Sequence, residues 1–411
     1  MSEKPRKSTK ELAIFSLEEA FPDADGIFNT TFKKLNESYE NALIVFDTNV
    51  LLLPYSMGNE GLEQLKVLYR KLIDGDRLFI PKRVAREFAK NRNKKLAEIY
   101  NSVLQRKSGK SKNNLNYPIL ENLDEKRELD ETFSKLEDIE KAYYKAIDKL
   151  ASTIRSWEWS DPVSSMYSEL FNSEVLIDHS KTKDELVKEL ERRFSLQIPP
   201  GYKDSNKDDG GVGDLSIWLS LLELGERKRK DIIFVTEDVK SDWWNQSNGS
   251  EFLPRYELID EFRRETEGNT LHIVRLSKLL EIFKVEQRII EEALAAEKKR
   301  KENFNRIFQA MRDRKKREAQ MFSSLSREDA ISELKAWFFS NYEDPAHSCP
   351  YETKEGGYQY IWGGPYDARE EIENEYSGVV SDSVIDEVVD DLESECLEWS
   401  GVPDEYPEDG F

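Results

Sequence analysis

The amino-acid sequence predicts an α/β fold built on a parallel sheet covered by helices, followed by a long helix and a small acidic α+β domain. Two apolar runs, residues 42–46 and 232–235, indicate the sheet. Each has the length and the β-branched or aromatic content of a strand buried on both faces, which is typical of parallel sheets. The runs lead to Asp47 and Asp238, and carboxyl ends of parallel strands face one crevice. We therefore expect both carboxylates in the same cleft.

Helix and strand alternate directly after the first run. An amphipathic helix is predicted near 59–74, and a short strand at 78–80 then meets Pro81. Proline is favourable at a first helical position because the donor that it lacks would be unpaired there. The helix that opens at this point would carry Glu87 in its second turn, on the same side of the sheet as Asp47.

Residues from about 95 to 195 have a helical and highly charged pattern, which we interpret as a helical insertion into the α/β unit. A polar loop follows, and Asp214 is predicted to cap an apolar helix over 215–224. After the second apolar run, a helix near 255–266 and a last strand at 271–274 complete the predicted sheet.

The charge is concentrated near the end of the chain. The net charge of the 411 residues is -21, yet residues 327–411 hold 24 Asp or Glu against four Lys or Arg. Residues 285–320 lack Gly and Pro and predict one long helix; within it, 297–318 forms a basic stripe with ten Lys or Arg against four acids. The strand-bearing region is nearly neutral, which is compatible with a polyanionic substrate. We predict three domains: 1–284, 285–322 and 323–411.

Composition excludes several classes of protein. The two cysteines, Cys349 and Cys396, are far apart, so neither a disulfide scaffold nor a cysteine zinc site is expected, and a reducing compartment fits better. No apolar stretch approaches the length of a membrane span, and the first ten residues are polar and charged. We expect a cytoplasmic protein with no membrane contact.

Four acidic residues stand next to the predicted elements in a characteristic order. They occur in Val45-Phe46-Asp47-Thr48-Asn49, Arg86-Glu87-Phe88, Gly213-Asp214-Leu215-Ser216-Ile217-Trp218 and Phe234-Val235-Thr236-Glu237-Asp238. This order resembles the PIN-domain nucleases, in which a D-T-N aspartate, a helical glutamate, an aspartate opening a later helix and a T-x-D aspartate bind the catalytic metals. Segments 200–204 and 240–244 look like a bacterial PIN-like branch with an enlarged helical insertion. The likeness covers roughly residues 10 to 285.

The resemblance implies a metal-dependent nuclease. Four acids would be catalytic and would bind Mg²⁺ or Mn²⁺: Asp47, Glu87, Asp214 and Asp238. Three polar residues would lie beside them and orient the carboxylates: Asn49, Thr236 and Asp242. Carboxylate oxygens suit these hard cations, which would activate a water for attack on a phosphodiester. We expect hydrolysis of RNA or another single-stranded nucleic acid, with RNA favoured over DNA.

Several side chains near the acids are candidates for nucleic-acid contact. Lys203, Lys207 and Lys240 flank the acidic motifs and are predicted to hold phosphates. Trp243 and Trp244 are candidates for base stacking, although a core role is expected for at least one of them. The basic stripe is compatible with following a nucleic-acid backbone, and equally with a solvated helix or a face docked on the acidic region.

Other functions remain open from the sequence. A haloacid-dehalogenase-like phosphatase also places an aspartate after its first strand, but its chemistry requires a second aspartate two residues later, where this chain has Asn49. A non-catalytic PIN-like scaffold is the other alternative, since each acid taken singly has a structural explanation. The family resemblance also suggests a bacterial toxin or antiphage effector, whose acidic C-terminal domain binds a protein partner or docks within the chain.

Overall fold

The computed structural model describes residues 15–107, 118–120, 122–202, 211–247, 250–341, 349–352, 358–361, 368–376, 378–395 and 397–400. The chain forms two compact units, which divide between Lys299 and Arg300. Each unit has its own apolar core. No helix among these described residues is long and apolar enough to cross a lipid bilayer.

A five-stranded parallel sheet organises the first unit. The described strands of the whole first unit are, in chain order, β1 (Leu43–Phe46), β2 (Leu78–Pro81), β3 (Leu176–Ile177), β4 (Ile232–Val235), β5 (Trp244–Ser247), β6 (Ser250–Pro254) and β7 (Leu271–Val274). The sheet has the order β3–β2–β1–β4–β7, and each neighbouring pair is parallel. β5 and β6 form a separate antiparallel hairpin. The predicted parallel sheet is therefore confirmed.

The two apolar runs form the centre of the sheet. β1 and β4 pair in register over four residues, ending at Phe46 opposite Val235. Every side chain of the two strands is at most 1% exposed. Burial of one such side chain contributes about 2 kcal/mol, so these strands hold the core together. The same register brings the next two residues, Asp47 and Thr236, side by side at the carboxyl edge.

Helices cover the sheet to give the three-layer α/β/α arrangement. In chain order the helices of the first unit are α1 (Ser16–Ala20), α2 (Ala24–Asn29), α3 (Leu35–Ser38), α4 (Thr48–Leu52), α5 (Asn59–Asp74), α6 (Lys82–Leu104), α7 (Asp124–Arg155), α8 (Pro162–Leu170), α9 (Lys183–Leu196), α10 (Val212–Lys228), α11 (Tyr256–Glu265), α12 (Leu276–Ile282) and the first part of α13 (Gln287–Ser324). α6 begins directly after Pro81, so Glu87 lies in its second turn as expected.

The region 95–195 is not purely helical, contrary to the sequence-based expectation. α6 continues through its start, and between α8 and α9 the chain returns to the sheet as β3. This strand pairs with the end of β2 through Ile80 opposite Leu176. Two residues are too few to show a period-two pattern in the sequence, which is why this edge strand escaped prediction.

A buried ion pair attaches α8 to α6. Arg92 is 2% exposed and Asp161 is fully buried, and Arg92 Nη2 lies 2.6 Å from Asp161 Oδ2. Asp161 also accepts hydrogen bonds from the N–H groups of Val163 and Ser164, which caps α8. The Arg92 guanidinium stacks 4.2 Å from the ring centroid of Trp159. Arg92 and Asp161 thus neutralise each other's charge at a site that water does not reach.

The second unit has an α+β fold. It contains the end of α13, then α14 (Arg327–Asn341), β8 (Cys349–Glu352), β9 (Tyr358–Ile361), α15 (Ala368–Tyr376), α16 (Asp382–Glu395) and β10 (Leu397–Ser400). The strands form an antiparallel sheet in the order β10–β9–β8. Its core is made by apolar side chains of the four helices, among them Phe322, Leu334, Ile372 and Val388.

Candidate active site

Asp47 lies at the carboxyl edge of the sheet and is held by three donors. It is the residue before α4 and is 7% exposed. Its Oδ1 accepts a hydrogen bond from the Thr48 N–H at 2.7 Å. Its Oδ2 accepts hydrogen bonds from the Thr236 hydroxyl at 2.7 Å and from Asn49 Nδ2 at 3.3 Å. The adjacent strand ends therefore fix the orientation of this carboxylate.

Glu87 is connected to the same strand end through Thr48. The Thr48 hydroxyl donates to Glu87 Oε2 at 2.7 Å, while the Thr48 N–H donates to Asp47. Arg83, one turn earlier on α6, donates from Nε to Glu87 Oε1 at 2.6 Å. Neither Thr48 nor Arg83 was predicted as a site residue. The i, i+4 spacing of Arg83 and Glu87 was the signal in the sequence that could have found that pair.

Lys240 joins Asp214 to Asp238. Its Nζ lies 3.1 Å from Asp214 Oδ2 and 3.1 Å from Asp238 Oδ2. The Lys240 N–H also donates to Asp238 Oδ1 at 2.9 Å, and the Asp238 N–H donates to the Thr236 hydroxyl at 2.9 Å. The hydroxyl of Thr236 thus connects this turn to Asp47. We predicted Lys240 as a phosphate contact, and the structure places its ammonium between two carboxylates.

The predicted capping role of Asp214 is wrong. α10 begins at Val212, and the residue before it, Gly211, has φ 83° and ψ 3°. Asp214 is therefore inside the first helical turn, where its negative charge is favoured by the helix dipole. A left-handed backbone at Gly211 is readily adopted because glycine lacks a Cβ atom, and the helix starts three residues closer to the N-terminus than predicted.

Burial and neighbouring charge disfavour the ionised form of Asp47. Burial raises the pKa of Asp47 from its ordinary value of 3.8 to about 6, and the negative charges of Asp238 and Glu87 add to this effect. The hydrogen bonds from the Thr236 hydroxyl and the Thr48 N–H act in the opposite direction and do not cancel it. Three of the four predicted acids are therefore electrostatically coupled around one buried carboxylate.

The acids, their order and the parallel sheet agree with the result of a comparison with protein families. Residues 43–258 match the family model of the PIN-like domain, which is more than half of the chain. The chain belongs to the PIN-like domain family. It therefore has a fold of the nuclease type. No curated protein and no solved structure matches the chain.

The donor chemistry of this PIN-like domain fits a hard divalent cation. All four predicted ligands are carboxylates, which Mg²⁺ and Mn²⁺ prefer. Burial is the main cause of the raised pKa of Asp47, and the repulsion from Asp238 and Glu87 that adds to it is of the kind that a bound cation relieves. Among the described residues, no group of three or more His, Cys, Asp or Glu is arranged to hold a metal ion. Two of the four predicted ligands, Asp214 and Asp238, are instead paired with the Lys240 ammonium.

Three further predicted residues of the PIN-like domain have structural contacts. Asp242 is 1% exposed and accepts a hydrogen bond from the Gly201 N–H at 2.9 Å, so it holds the backbone before the 203–210 segment. Trp243 is 2% exposed, and its ring centroid lies 5.0 Å from that of Phe234 in β4. Trp244 donates from Nε1 to the carbonyl of Asp238 at 2.8 Å. Trp243 is therefore a core residue, and Trp244 supports the Asp238 turn.

The other two predicted phosphate contacts of the PIN-like domain, Lys203 and Lys207, lie outside the described residues. The described chain on either side ends at Tyr202 and resumes at Gly211, directly before α10 and Asp214. Their predicted role therefore remains a prediction from the sequence.

Proposed function

We propose that this PIN-like domain is a divalent-metal-dependent nuclease that hydrolyses phosphodiester bonds of RNA or another single-stranded nucleic acid. The proposal assigns Asp47, Glu87, Asp214 and Asp238 as the metal ligands. The observation that carries it is the buried Asp47, whose pKa is raised to about 6 by burial and by the charges of Asp238 and Glu87. Perturbed carboxylates at the carboxyl edge of a parallel sheet are typical of functional sites.

The residues of the chain have separate roles in this proposal. Thr48 and Thr236 hold Asp47 in one orientation, and Arg83 holds Glu87. When bound, Mg²⁺ or Mn²⁺ would lower the pKa of a water and stabilise the charge that grows on the phosphodiester. Lys240 now neutralises Asp214 and Asp238; released from them, its ammonium would contact a phosphate oxygen. This gives Lys240 a role both before and after substrate binds.

The acidic region of the second unit, residues 327–411, is better suited to neutralising positive charge of the basic stripe than to binding nucleic acid. Arg314, in the basic stripe, lies 3.1 Å from Glu375 of α15, and Arg327 lies 2.6 Å from Glu387 of α16. These exposed pairs are individually weak, but the high negative charge of the region repels polyanions. We propose that the acidic region restricts access of nucleic acid to the basic stripe. A toxin or antiphage effector, whose activity must be restrained in its host, is the biological role that we propose.

A cleavage assay on the full chain tests the proposed chemistry. The substrates are labelled single-stranded RNA, single-stranded DNA, duplex DNA and a small phosphomonoester, each with Mn²⁺, with Mg²⁺ or with a chelator. We expect cleavage of the single-stranded substrates only with metal, and a loss of at least about a hundredfold in Asp47→Asn and Asp238→Asn. Asp231→Asn is the matched control because Asp231 is also 7% exposed but pairs with Lys33 outside this cluster.

The same assay separates the alternatives. Hydrolysis of the phosphomonoester alone would identify a phosphatase. A wild-type chain that cleaves nothing with either metal, although it is folded, would identify a non-catalytic PIN-like protein. Growth arrest on induced expression, present for the wild type and absent for Asp47→Asn, is the result expected for a toxin.

A further inference from the structure

α7 is longer than the helix that supports it. Near its C-terminal end it packs antiparallel to α6, where Arg155 lies over the ring of Tyr100 at 5.1 Å. At the end of α6, Lys107 forms an ion pair with Asp148, and its carbonyl accepts a hydrogen bond from the Tyr144 hydroxyl at 3.4 Å. The described chain that follows α6 ends at Lys107, and this end lies beside residues 144–148 of α7. Residues 124–143 extend beyond it by about 30 Å of helix.

The extended part of α7 has an exposed apolar face. Six large side chains along the helix are exposed by 36% to 66% of their surface: Leu129, Phe133, Leu136, Ile139, Tyr143 and Leu150. Leu129, Leu136, Tyr143 and Leu150 recur every seven residues. Phe133, Ile147 and Ile154 stand four residues after Leu129, Tyr143 and Leu150, and Glu140 occupies the same position after Leu136. The spacing therefore alternates between three and four with one charged interruption. This is the pattern of a helix that pairs with another helix.

Most helical stability in proteins comes from packing of an apolar face, so the exposed face of α7 would stabilise the helix only when it is covered. The described residues between α6 and α7 add to this exposed apolar surface, since Ile119 is 87% and Leu123 is 46% exposed. A partner helix that packs on this apolar face would therefore stabilise α7.

The charges of α7 identify which partner fits. Residues 124–140 carry eight carboxylates against three cations, and residues 141–155 carry four cations against one carboxylate. Two copies of α7 in antiparallel orientation place the acidic half of each next to the basic half of the other. Parallel copies would instead bring acidic half to acidic half, which is unfavourable. The helix is therefore complementary to itself in one orientation only.

We propose that α7 is the interface of a homodimer, in which the exposed faces of two copies pair antiparallel about a two-fold axis. Such an interface is isologous, since the same residues of each chain face one another. Leu129, Phe133 and Leu136 of each copy then pack against the half of the partner helix that carries Tyr143 and Leu150. The pairing does not depend on the nuclease chemistry.

Sedimentation velocity of the full chain over a range of concentrations tests the proposal. The wild type is expected to be a dimer, and Leu129→Ser combined with Leu136→Ser is expected to weaken the dimer by at least about a hundredfold in Kd, equivalent to ~2.7 kcal/mol. The matched control combines Val67→Ser with Val187→Ser, which are 66% and 50% exposed on α5 and α9. The control is expected to dimerise as the wild type does. A wild type that is monomeric at the highest soluble concentration overturns the proposal, as does a dimer that survives the leucine substitutions.

A charge exchange tests the antiparallel orientation separately from folding. Lys141→Glu, Lys145→Glu and Lys149→Glu together make the helix acidic throughout, and they should weaken the dimer by at least about tenfold at low salt. Adding Asp130→Lys and Glu131→Lys to the same chain should restore it. Antiparallel pairing of α7 is wrong if the variant with all five substitutions dimerises as weakly as the variant with three. It is also wrong if the variant with three substitutions dimerises as the wild type does.

Discussion

Replacement of Asp47 by asparagine should stabilise the metal-free protein while abolishing the proposed catalysis. Asp47 is buried at the end of β1 and is close enough to Asp238 and Glu87 for their charges to raise its pKa. At neutral pH the folded chain must keep this carboxylate ionised in an environment that disfavours the charge. Asparagine has nearly the same shape and no charge, so the substitution removes the penalty without opening a cavity.

The magnitude follows from the pKa. A rise from 3.8 to about 6 corresponds to about 3 kcal/mol of destabilisation at pH 7. The single amide oxygen of asparagine can replace only one of the two carboxylate oxygens, so if it keeps the bonds from Thr236 and Asn49 it loses the one from the Thr48 N–H, at a cost of about 1 kcal/mol. The expected net gain in the free energy of unfolding is therefore about 2 kcal/mol. The raised pKa also sets the pH dependence: the penalty is fully present above about pH 6 and disappears as the pH falls towards 3.8.

Urea unfolding in a chelating buffer measures this effect. Tryptophan fluorescence is a suitable signal because Trp218 and Trp243 are buried in the first unit. Asp231→Asn is the control at equal exposure. Burial disfavours the Asp231 charge, but the hydrogen bond from the Thr270 N–H and the Lys33 ion pair outweigh burial and lower the pKa of Asp231.

The two variants should therefore change stability in opposite directions. Asp231→Asn is expected to destabilise the chain at pH 7, and the contribution of Asp231 is lost from the wild type as the pH falls through its lowered pKa. An Asp47→Asn chain that is less stable than the wild type at pH 7, or whose stability difference does not shrink between pH 7 and pH 5, would refute the electrostatic account of the site.

Two further substitutions test interactions that the structure assigns. Arg92→Met should lower the free energy of unfolding by about 3 to 5 kcal/mol in urea denaturation, because it leaves Asp161 buried and without its cation. Lys240→Met should bind Mn²⁺ on the order of tenfold more tightly in titration calorimetry, equivalent to ~1.4 kcal/mol, because no ammonium then competes for Asp214 and Asp238.

Each substitution has a control of the same type on the surface. Arg70→Met removes an ion pair with Glu169 in which both side chains are about half exposed, and it should change stability by less than about 1 kcal/mol. Lys228→Met removes a pair with Asp76 and should leave the affinity for Mn²⁺ unchanged. Equal costs for the two arginine variants would contradict the buried pair, and Mn²⁺ binding that weakens in Lys240→Met would contradict competition by the ammonium.

Much of the fold was predictable because local patterns determine it. The residues of β1 and β4 form continuous apolar runs, and only a strand buried on both faces suits runs of that length. Asp47 follows the first run directly and Asp238 comes three residues after the end of the second, so parallel pairing of the strands was sufficient to place both acids at one edge. The order of the four acids along the chain could also be read from the sequence, because each acid stands next to or within a predicted strand or helix.

Other features depend on contacts between residues distant in sequence. β3 has two residues, and it is a strand only because β2 offers it an edge. The place of Lys240 between Asp214 and Asp238 required the start of α10 and the turn after β4 to meet, and the left-handed Gly211 that sets this helix start has no distinct signal in a glycine-rich loop.

The sequence by itself determined the parallel sheet, the acidic residues at its carboxyl edge and the heptad spacing of α7, because strand burial and helical period are local properties of the chain. Only the tertiary structure decided that Asp47 is buried beside two like charges and that α7 extends beyond α6. Burial, charge proximity and exposure are set by packing, since each depends on which distant segments exclude water from a side chain.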